Sequence, residues 1–115
     1  MPSQAIATVR CALRGVGFMF GERKMLLLAA ATLAVLAAGA HFALAALEWC
    51  ALVFAITLVW VAEGLNTALE RLTDLVSPGF HPLAGQAKDI AAGAALIAVA
   101  GAIAIGVVIF GPRLV

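Results

Sequence analysis

The hydrophobic pattern begins with an amphipathic segment at residues 3–20. Apolar side chains recur there at steps of three and four, as Ile6, Val9, Leu13, Val16 and Phe20. Such spacing places the apolar side chains on one face of a helix and leaves the arginines of the segment off that face. The pattern predicts an interfacial helix on a membrane surface, and the alternative is an irregular N-terminus.

Three longer apolar segments follow, at residues 25–47, 49–75 and 88–110. At about 1.5 Å per residue, each can cross a hydrocarbon core of roughly 30 Å as a helix. We therefore predict an all-α membrane protein with one surface helix and three transmembrane helices. We expect residues 1–115 to form a single domain, because no segment remains for a separate soluble one.

Composition narrows the class of protein. The chain is 65% hydrophobic and carries only seven basic and six acidic residues, with a mean hydropathy of +1.15. Such a composition is typical of integral membrane proteins. The formal net charge of +1 is too small to indicate a nucleic-acid partner.

The basic residues predict the orientation in the membrane. Arg113 alone follows the third span, and the other six lysines and arginines are Arg10, Arg14, Arg23, Lys24, Arg71 and Lys88. They precede the first span or flank the loop between the second and third, whereas residues 41–48 contain none. By the positive-inside rule, the N-terminus and the second loop face the cytoplasm.

Acidic and amide residues gather on one side of the second span. At about 100° per residue, Glu63, Asn66, Glu70 and Asp74 fall within roughly 80° of one another on a helix. We call these four residues the polar stripe. Carboxylates near membrane depth are energetically costly, so they indicate function. The stripe predicts a site for a charged ligand at the cytoplasmic surface.

The residue types in and near the polar stripe suit phosphoryl transfer. Glu63 is the deepest acid and is placed to take the proton of a lipid hydroxyl group. Glu22 and Glu70 are candidate ligands for Mg²⁺, which commonly takes one or two carboxylates plus phosphate oxygens. Lys88 supplies a positive charge suited to a phosphate. The sequence lacks G-x-x-x-x-G-K-[ST], so a soluble P-loop kinase is excluded.

Structural interpretations compete with these roles. Glu63 can pair with Arg71, and Glu70 and Asp74 can form a solvated helix end. For the whole protein, the alternatives to an enzyme are a small oligomeric transporter or channel, with Glu63 as a proton or cation site, and an inactive assembly factor. The confinement of polar residues to one end of the spans favours the enzyme.

Small residues recur at intervals of four in the third span, as Ala94, Ala98, Ala102 and Gly106. A ridge of small side chains lets transmembrane helices approach closely. The ridge predicts association between copies of this chain.

Two motifs resemble those of the small prokaryotic membrane lipid kinases, the diacylglycerol kinase and undecaprenol kinase family. Residues 62–74, AEGLNTALERLTD, resemble the family signature E-x-x-N-[ST]-[AS]-[IL]-E-x-x-x-D, and HPLA at 81–84 with AKDIAAGA at 87–94 resembles its second block. The likeness extends roughly from Arg14 to Phe110. The loop sequence LVSP followed by HPLA looks closer to the undecaprenol kinase branch.

The resemblance implies a homotrimeric helical bundle in the bacterial inner membrane, with active sites shared between subunits. It implies Mg²⁺, ATP as co-substrate and a membrane lipid alcohol as acceptor. By position, Glu63 matches the catalytic base and contacts the lipid with Arg14, while Glu22 and Glu70 match the metal-binding acids. The implied nucleotide-binding residues are Glu22, Asn66, Glu70, Asp74, Gly79, Phe80, His81, Lys88 and Asp89.

The chain departs from the family pattern at the start of the first span. The spacing from Arg14 to Glu22 is one residue shorter than the family leads us to expect. After Glu22 the family usually carries an aromatic residue and further polar residues, whereas this chain reads RKMLLL. The assignment of Glu22 therefore depends on a gap, and the family's lipid-headgroup contacts from the first helix are not carried over to this chain, while the chemistry of the second helix is unaffected.

Overall fold

The computed structural model describes residues 2–115 and shows four helices. They are α1 (Pro2–Met19), α2 (Arg23–His41), α3 (Ala46–Val76) and α4 (Pro82–Leu114). The last three are each long and apolar enough to cross a membrane. The predicted fold class, an all-α membrane protein, is therefore confirmed.

The helix ends differ from the predicted spans at both connections. α2 ends at His41 rather than at residue 47, because residues 42–45 form a turn in which Ala43 has a φ of 52°. α4 begins at Pro82 rather than at residue 88 and continues to Leu114. Proline is tolerated at the first helical position, where its missing N–H has no intrahelical partner.

α3 and α4 form the main helix–helix contact of the chain. Their buried apolar residues are Leu52, Ala55 and Val59 on α3 and Ala91, Ala95, Ala98 and Ile109 on α4. Alanine allows the two backbones to approach closely. This face is not the ridge that the sequence suggests, because Ala94 is exposed and only Ala98 of the ridge is buried. Ala102 and Gly106 of the ridge are half-buried and line the apolar cavity between α2, α3 and α4.

α2 is attached to the other spans more loosely. An apolar cavity of about 280 Å³ lies between residues of α2, α3 and α4. Within the apolar part of the spans, Trp60 Nε1 of α3 donates a hydrogen bond to Thr32 Oγ1 of α2 at 3.0 Å. Large apolar side chains along all three spans are exposed, and this surface suits lipid or another subunit as a neighbour.

The C-terminal end of α1 packs on α3. A Cβ atom on Gly64 would lie 2.8 Å from Met19 Cε, so a larger residue there would displace the end of the Met19 side chain. The rings of Phe20 and Trp60 have centroids 5.6 Å apart. The apolar residues of α1 farther from this contact, including Ile6 and Leu13, are exposed, as expected for a helix that lies on a membrane surface.

The bundle has two chemically distinct ends. The polar end contains the α1–α2 junction, the last turns of α3 and the first turns of α4. The opposite end contains the α2–α3 turn and the end of α4, where Arg113 pairs with Glu48. At the opposite end Gly39 also packs closely, since a Cβ there would lie 2.7 Å from the Trp49 ring.

Candidate active site

The carboxylates of the polar stripe become more exposed toward the C-terminal end of α3. The exposed side-chain fraction is 22% for Glu63, 43% for Glu70 and 63% for Asp74. All three belong to one unbroken helix, which continues to Val76. This order agrees with the predicted depth of the acids, in which Glu63 is the deepest.

Asn66 differs from the other members of the polar stripe because it is packed inside the protein. It is 6% exposed, and its Oδ1 has no hydrogen-bond partner within residues 2–115. A buried acceptor without a partner costs about 1–3 kcal/mol. Neighbouring Thr67 is satisfied locally, since its hydroxyl donates to the Glu63 carbonyl oxygen at 3.0 Å. Asn66 therefore retains an acceptor for an incoming donor or cation.

Lys24 brings a positive charge from α2 to the polar stripe. Its Nζ lies 3.8 Å from Glu63 Oε2 and 3.7 Å from Glu70 Oε1. Both distances exceed the 2.7–3.2 Å that is usual for N–H···O hydrogen bonds. Charge attraction therefore holds Lys24 between the two acids, and this contact joins α2 to α3 at the polar end.

Glu22 lies beside the same group of residues. It immediately precedes α2 in extended backbone, and its Oε1 accepts a hydrogen bond of 2.6 Å from Arg71 Nη2. The sequence left open a pair between Glu63 and Arg71. In the structure Arg71 pairs with Glu22, while Glu63 pairs with Lys24.

The acids fit a magnesium ion that arrives together with phosphate. Glu70, one of the two predicted metal-binding acids, lies loosely against the ammonium of Lys24, and the other, Glu22, is paired with Arg71. Both supply the hard oxygen ligands that Mg²⁺ prefers. Across residues 2–115, no three His, Cys, Asp or Glu side chains come together as a metal cage. Mg²⁺ sites with one or two carboxylates are commonly completed by phosphate oxygens and water. The donor set is of that kind.

A second polar group lies where α3 passes into α4. Lys88 Nζ is 2.5 Å from Asp74 Oδ1, and this ion pair borders a cavity of about 200 Å³. The cavity brings together residues that the resemblance assigns to the nucleotide, namely Asp74, Gly79, Phe80, His81 and Lys88.

Two aromatic residues of the α3–α4 loop differ in how firmly they are held. The Phe80 side chain is 95% exposed. His81 caps α4, since its Nδ1 accepts a hydrogen bond of 3.1 Å from Leu83 N. The loop thus combines a fixed helix start with an exposed ring at the edge of the cavity.

Two predicted site residues stand apart from these contacts. Arg14 is exposed on α1 and Asp89 is exposed on α4. Neither forms an ion pair within residues 2–115. Gly15, next to Arg14, lines a groove between α1 and α3 that also includes Gly64 and Arg71.

Lys24 is the site residue that sequence reasoning missed. The sequence interpretation uses it only as one of the basic residues that predict the orientation in the membrane. A usable signal was present, because two antiparallel spans joined by a short turn bring the start of α2 beside the end of α3. A cation two residues after Glu22 is then within reach of the polar stripe.

The fold and this site define a small helical membrane protein with acids and cations concentrated at one end of its bundle. The model of the prokaryotic diacylglycerol kinase family matches residues 10–110. The chain therefore belongs to the prokaryotic diacylglycerol kinase family, and it is a lipid alcohol kinase. The resemblance drawn from the two sequence motifs is confirmed.

The proteins similar to this chain include an undecaprenol kinase and diacylglycerol kinases. The undecaprenol kinase of Bacillus subtilis (strain 168) is 41% identical over 93 residues, which cover 81% of this chain and 76% of the relative. The diacylglycerol kinase of Synechocystis sp. is 37% identical over 103 residues, 88% of this chain and 59% of the relative. The Escherichia coli (strain K12) diacylglycerol kinase is 40% identical over 48 residues, 42% of this chain and 39% of the relative.

Proposed function

We propose that the protein transfers the γ-phosphate of ATP to the hydroxyl group of a membrane lipid alcohol, either undecaprenol or diacylglycerol. The gradient of exposure along the polar stripe carries this proposal. Glu63 is the least exposed of its carboxylates, and Asp74 borders the cavity beside Lys88. A lipid acceptor reaches the site from the bilayer and a nucleotide reaches it from water, so a site that runs from buried to exposed suits both.

The acids have separate roles in this proposal. Glu63 accepts the proton of the lipid hydroxyl group as its oxygen attacks the γ-phosphorus. Glu22 and Glu70 would hold Mg²⁺, which would neutralise charge on the phosphates. The bond between the γ-phosphorus and the bridging oxygen breaks, and ADP leaves with the electron pair. The products are ADP and a lipid phosphate.

Nucleotide binding is assigned to the end of α3, the α3–α4 loop and the start of α4. Lys88 is suited to a phosphate because its ammonium carries three donors. The exposed Phe80 ring offers a stacking surface for adenine, and Gly79 and His81 border the same cavity. The further polar residues assigned to the nucleotide site are Glu22, Asn66, Glu70, Asp74 and Asp89.

The lipid is assigned to the junction of α1 and α3. Met19 of α1 packs on Gly64, which follows Glu63 in the sequence of α3. The end of α1 therefore contacts the residue next to the proposed base. Arg14 lies on the same helix and is suited to the headgroup region. The B. subtilis undecaprenol kinase matches 81% of this chain, which supports undecaprenol as the first acceptor to test.

A homotrimer in the bacterial inner membrane is part of the proposal. The loosely attached α2, the apolar cavity beside it and the exposed apolar spans leave surface for neighbouring subunits. The basic residues near the polar end support a cytoplasmic orientation of that end, where ATP is available. The polar end remains open in the single chain, and this agrees with active sites that are shared between subunits.

Transfer of radiolabelled γ-phosphate tests the proposed function. Purified protein in mixed micelles receives labelled ATP with Mg²⁺ and either undecaprenol or diacylglycerol. We expect one labelled lipid product, formed in equal amount to the ADP released. If neither lipid is labelled by folded, trimeric protein, the assignment of substrates is wrong. Ion flux into liposomes without consumption of ATP would instead support the transporter or channel alternative.

A further inference from the structure

Three cations contact acids at the polar end, and Lys24 differs from the other two. Arg71 lies 2.6 Å from Glu22, and Lys88 lies 2.5 Å from Asp74. Lys24 instead lies between two acids, at 3.7 Å and 3.8 Å. Since these contacts are longer than hydrogen bonds, the ammonium of Lys24 keeps donors for a further acceptor.

The two acids beside Lys24 have different partners in the proposed reaction. Glu63 faces the lipid hydroxyl group, and Glu70 faces the metal and the phosphates. The phosphoryl group must pass from the Glu70 side to the Glu63 side. The ammonium of Lys24 lies between these two carboxylates, so it is near the path of the transferred group.

We propose that Lys24 is a further catalytic residue, which donates hydrogen bonds to the oxygens of the phosphoryl group during transfer. The inference rests on the proposed kinase function. The lipid oxygen forms the new bond to phosphorus, its proton passes to Glu63, and the leaving ADP takes the electron pair of the broken bond. Lys24 stays protonated throughout and releases no proton.

Electrostatics supports a cation at this point. Carboxylates repel a triphosphate, and Glu63 and Glu70 together place two negative charges where the phosphoryl group must approach. During transfer, negative charge is spread over three equatorial phosphoryl oxygens. The ammonium of Lys24 offsets this repulsion and provides donors for those oxygens.

Variants at position 24 separate catalysis from nucleotide binding. Lys24→Gln should lower kcat by about 100-fold, the scale of losing one transition-state donor, while the KM for ATP changes by less than about threefold. Lys24→Arg keeps the charge and should retain turnover within about tenfold of the unsubstituted enzyme. Arg23→Gln is the matched control, because exposed Arg23 forms no ion pair within residues 2–115; we expect unchanged kinetics.

A measurement on the unsubstituted protein does not depend on whether a variant folds. The chain contains two lysines, Lys24 and Lys88, so acetylation by an amine-reactive reagent can be followed at each by mass spectrometry. Saturating Mg²⁺ with β,γ-methylene ATP should slow acetylation of both lysines by about tenfold or more. Lys88 reports nucleotide binding, while Lys24 reports contact with the phosphoryl group.

The outcomes distinguish this inference from the proposed function. Protection of Lys24 together with the kcat loss in Lys24→Gln supports the inference. Protection of Lys88 alone, or faster acetylation of Lys24 because Mg²⁺ displaces it, overturns the role of Lys24 and leaves the nucleotide site intact. Protection of neither lysine, in protein that labels no lipid, overturns both. Unchanged kcat in folded Lys24→Gln overturns the inference alone.

Discussion

At the opposite end of the bundle, one acidic and one basic side chain form an ion pair with each other. Arg113 Nη2 donates to Glu48 Oε1 at 2.7 Å, and both side chains are half-buried. Arg113 also donates to the Ile109 carbonyl oxygen, and Glu48 also accepts from the Ala45 backbone N–H. At the polar end, by contrast, Lys24 lies beyond hydrogen-bond distance from both of its acids.

The difference distinguishes a structural ion pair from a binding site. Glu48 and Arg113 join the start of α3 to the end of α4, and their contacts are made within the chain. Each also lies near the helix terminus of opposite charge, which is favourable. Glu63, Glu70 and Asn66 retain oxygens that are only loosely paired or unpaired. Because unmet hydrogen-bonding capacity is costly, the polar end is the end expected to receive a ligand.

The strongest test of this comparison is Glu63→Gln. The substitution preserves shape and removes the proposed proton acceptor, so we expect kcat to fall by about 10³-fold, the scale of general base catalysis. Nucleotide affinity should remain within about twofold, because the base acts on the lipid hydroxyl group. Turnover of γ-labelled ATP and equilibrium binding of an ATP analogue measure the two effects separately.

Glu48→Gln is the matched control for Glu63→Gln. It makes the same chemical change on the same helix, at the end where the acid has a structural partner. We expect its kcat to stay within about twofold of the unsubstituted enzyme, since no substrate contact is lost. Equal losses of binding and turnover in Glu63→Gln would show that Glu63 is not the base.

Glu70→Gln should produce a smaller effect of a different kind. Loss of one carboxylate from the proposed metal site should raise the Mg²⁺ concentration for half-maximal activity by about tenfold. Activity should recover in part at high Mg²⁺, unlike that of Glu63→Gln. A titration of activity against Mg²⁺ at saturating ATP measures the shift. A metal requirement unchanged from the unsubstituted enzyme would remove Glu70 from the metal site.

The sequence alone predicted the residues of the polar stripe, but it did not predict which residues contact them. Helical periodicity alone placed Glu63, Glu70 and Asp74 on one face, because all three belong to one continuous helix. Lys24 belongs to a different helix, and its place between two acids depends on how α2 packs on α3. Periodicity within a single helix does not contain that information.

The helix ends were predicted less well for a related reason. The apolar run that includes Phe42 and Leu44 continues through the α2–α3 turn, so hydropathy does not mark the point where α2 ends. Leu44 is buried in that turn, so it stays apolar without being helical. Likewise, the α3–α4 contact face was not visible as a ridge, since α4 is rich in small residues on every side.

Phe80→Ala should weaken nucleotide binding without affecting the chemical step. If the exposed ring stacks on adenine, its loss costs about 1 kcal/mol, which corresponds to about a fivefold rise in the KM for ATP. We expect kcat to remain unchanged, because stacking is present equally in the ground and transition states. Phe54→Ala, an exposed phenylalanine within the α3 span, is the control. A Phe80→Ala enzyme with unchanged KM would exclude stacking by this ring.

Charge reversal tests the comparison between the two ends directly, with the smallest expected effect on activity. Glu48→Arg and Arg113→Glu should each lower the Tm in detergent by about 2–5 °C, and the double variant should recover part of the loss. Recovery is partial because each reversed charge then lies at a helix terminus of like charge. Activity per folded protein should stay constant in all three variants.

The same reversal at the polar end should behave differently. Glu22→Arg combined with Arg71→Glu can restore the ion pair and part of the Tm, but it moves the proposed metal-binding carboxylate from the residue before α2 to α3. We therefore expect lipid phosphorylation to stay low in the double variant while its Tm recovers. Recovery of both lipid phosphorylation and Tm would show that the pair between Glu22 and Arg71 is structural, as the pair between Glu48 and Arg113 is. Glu22 would then not be a metal ligand beside Glu70.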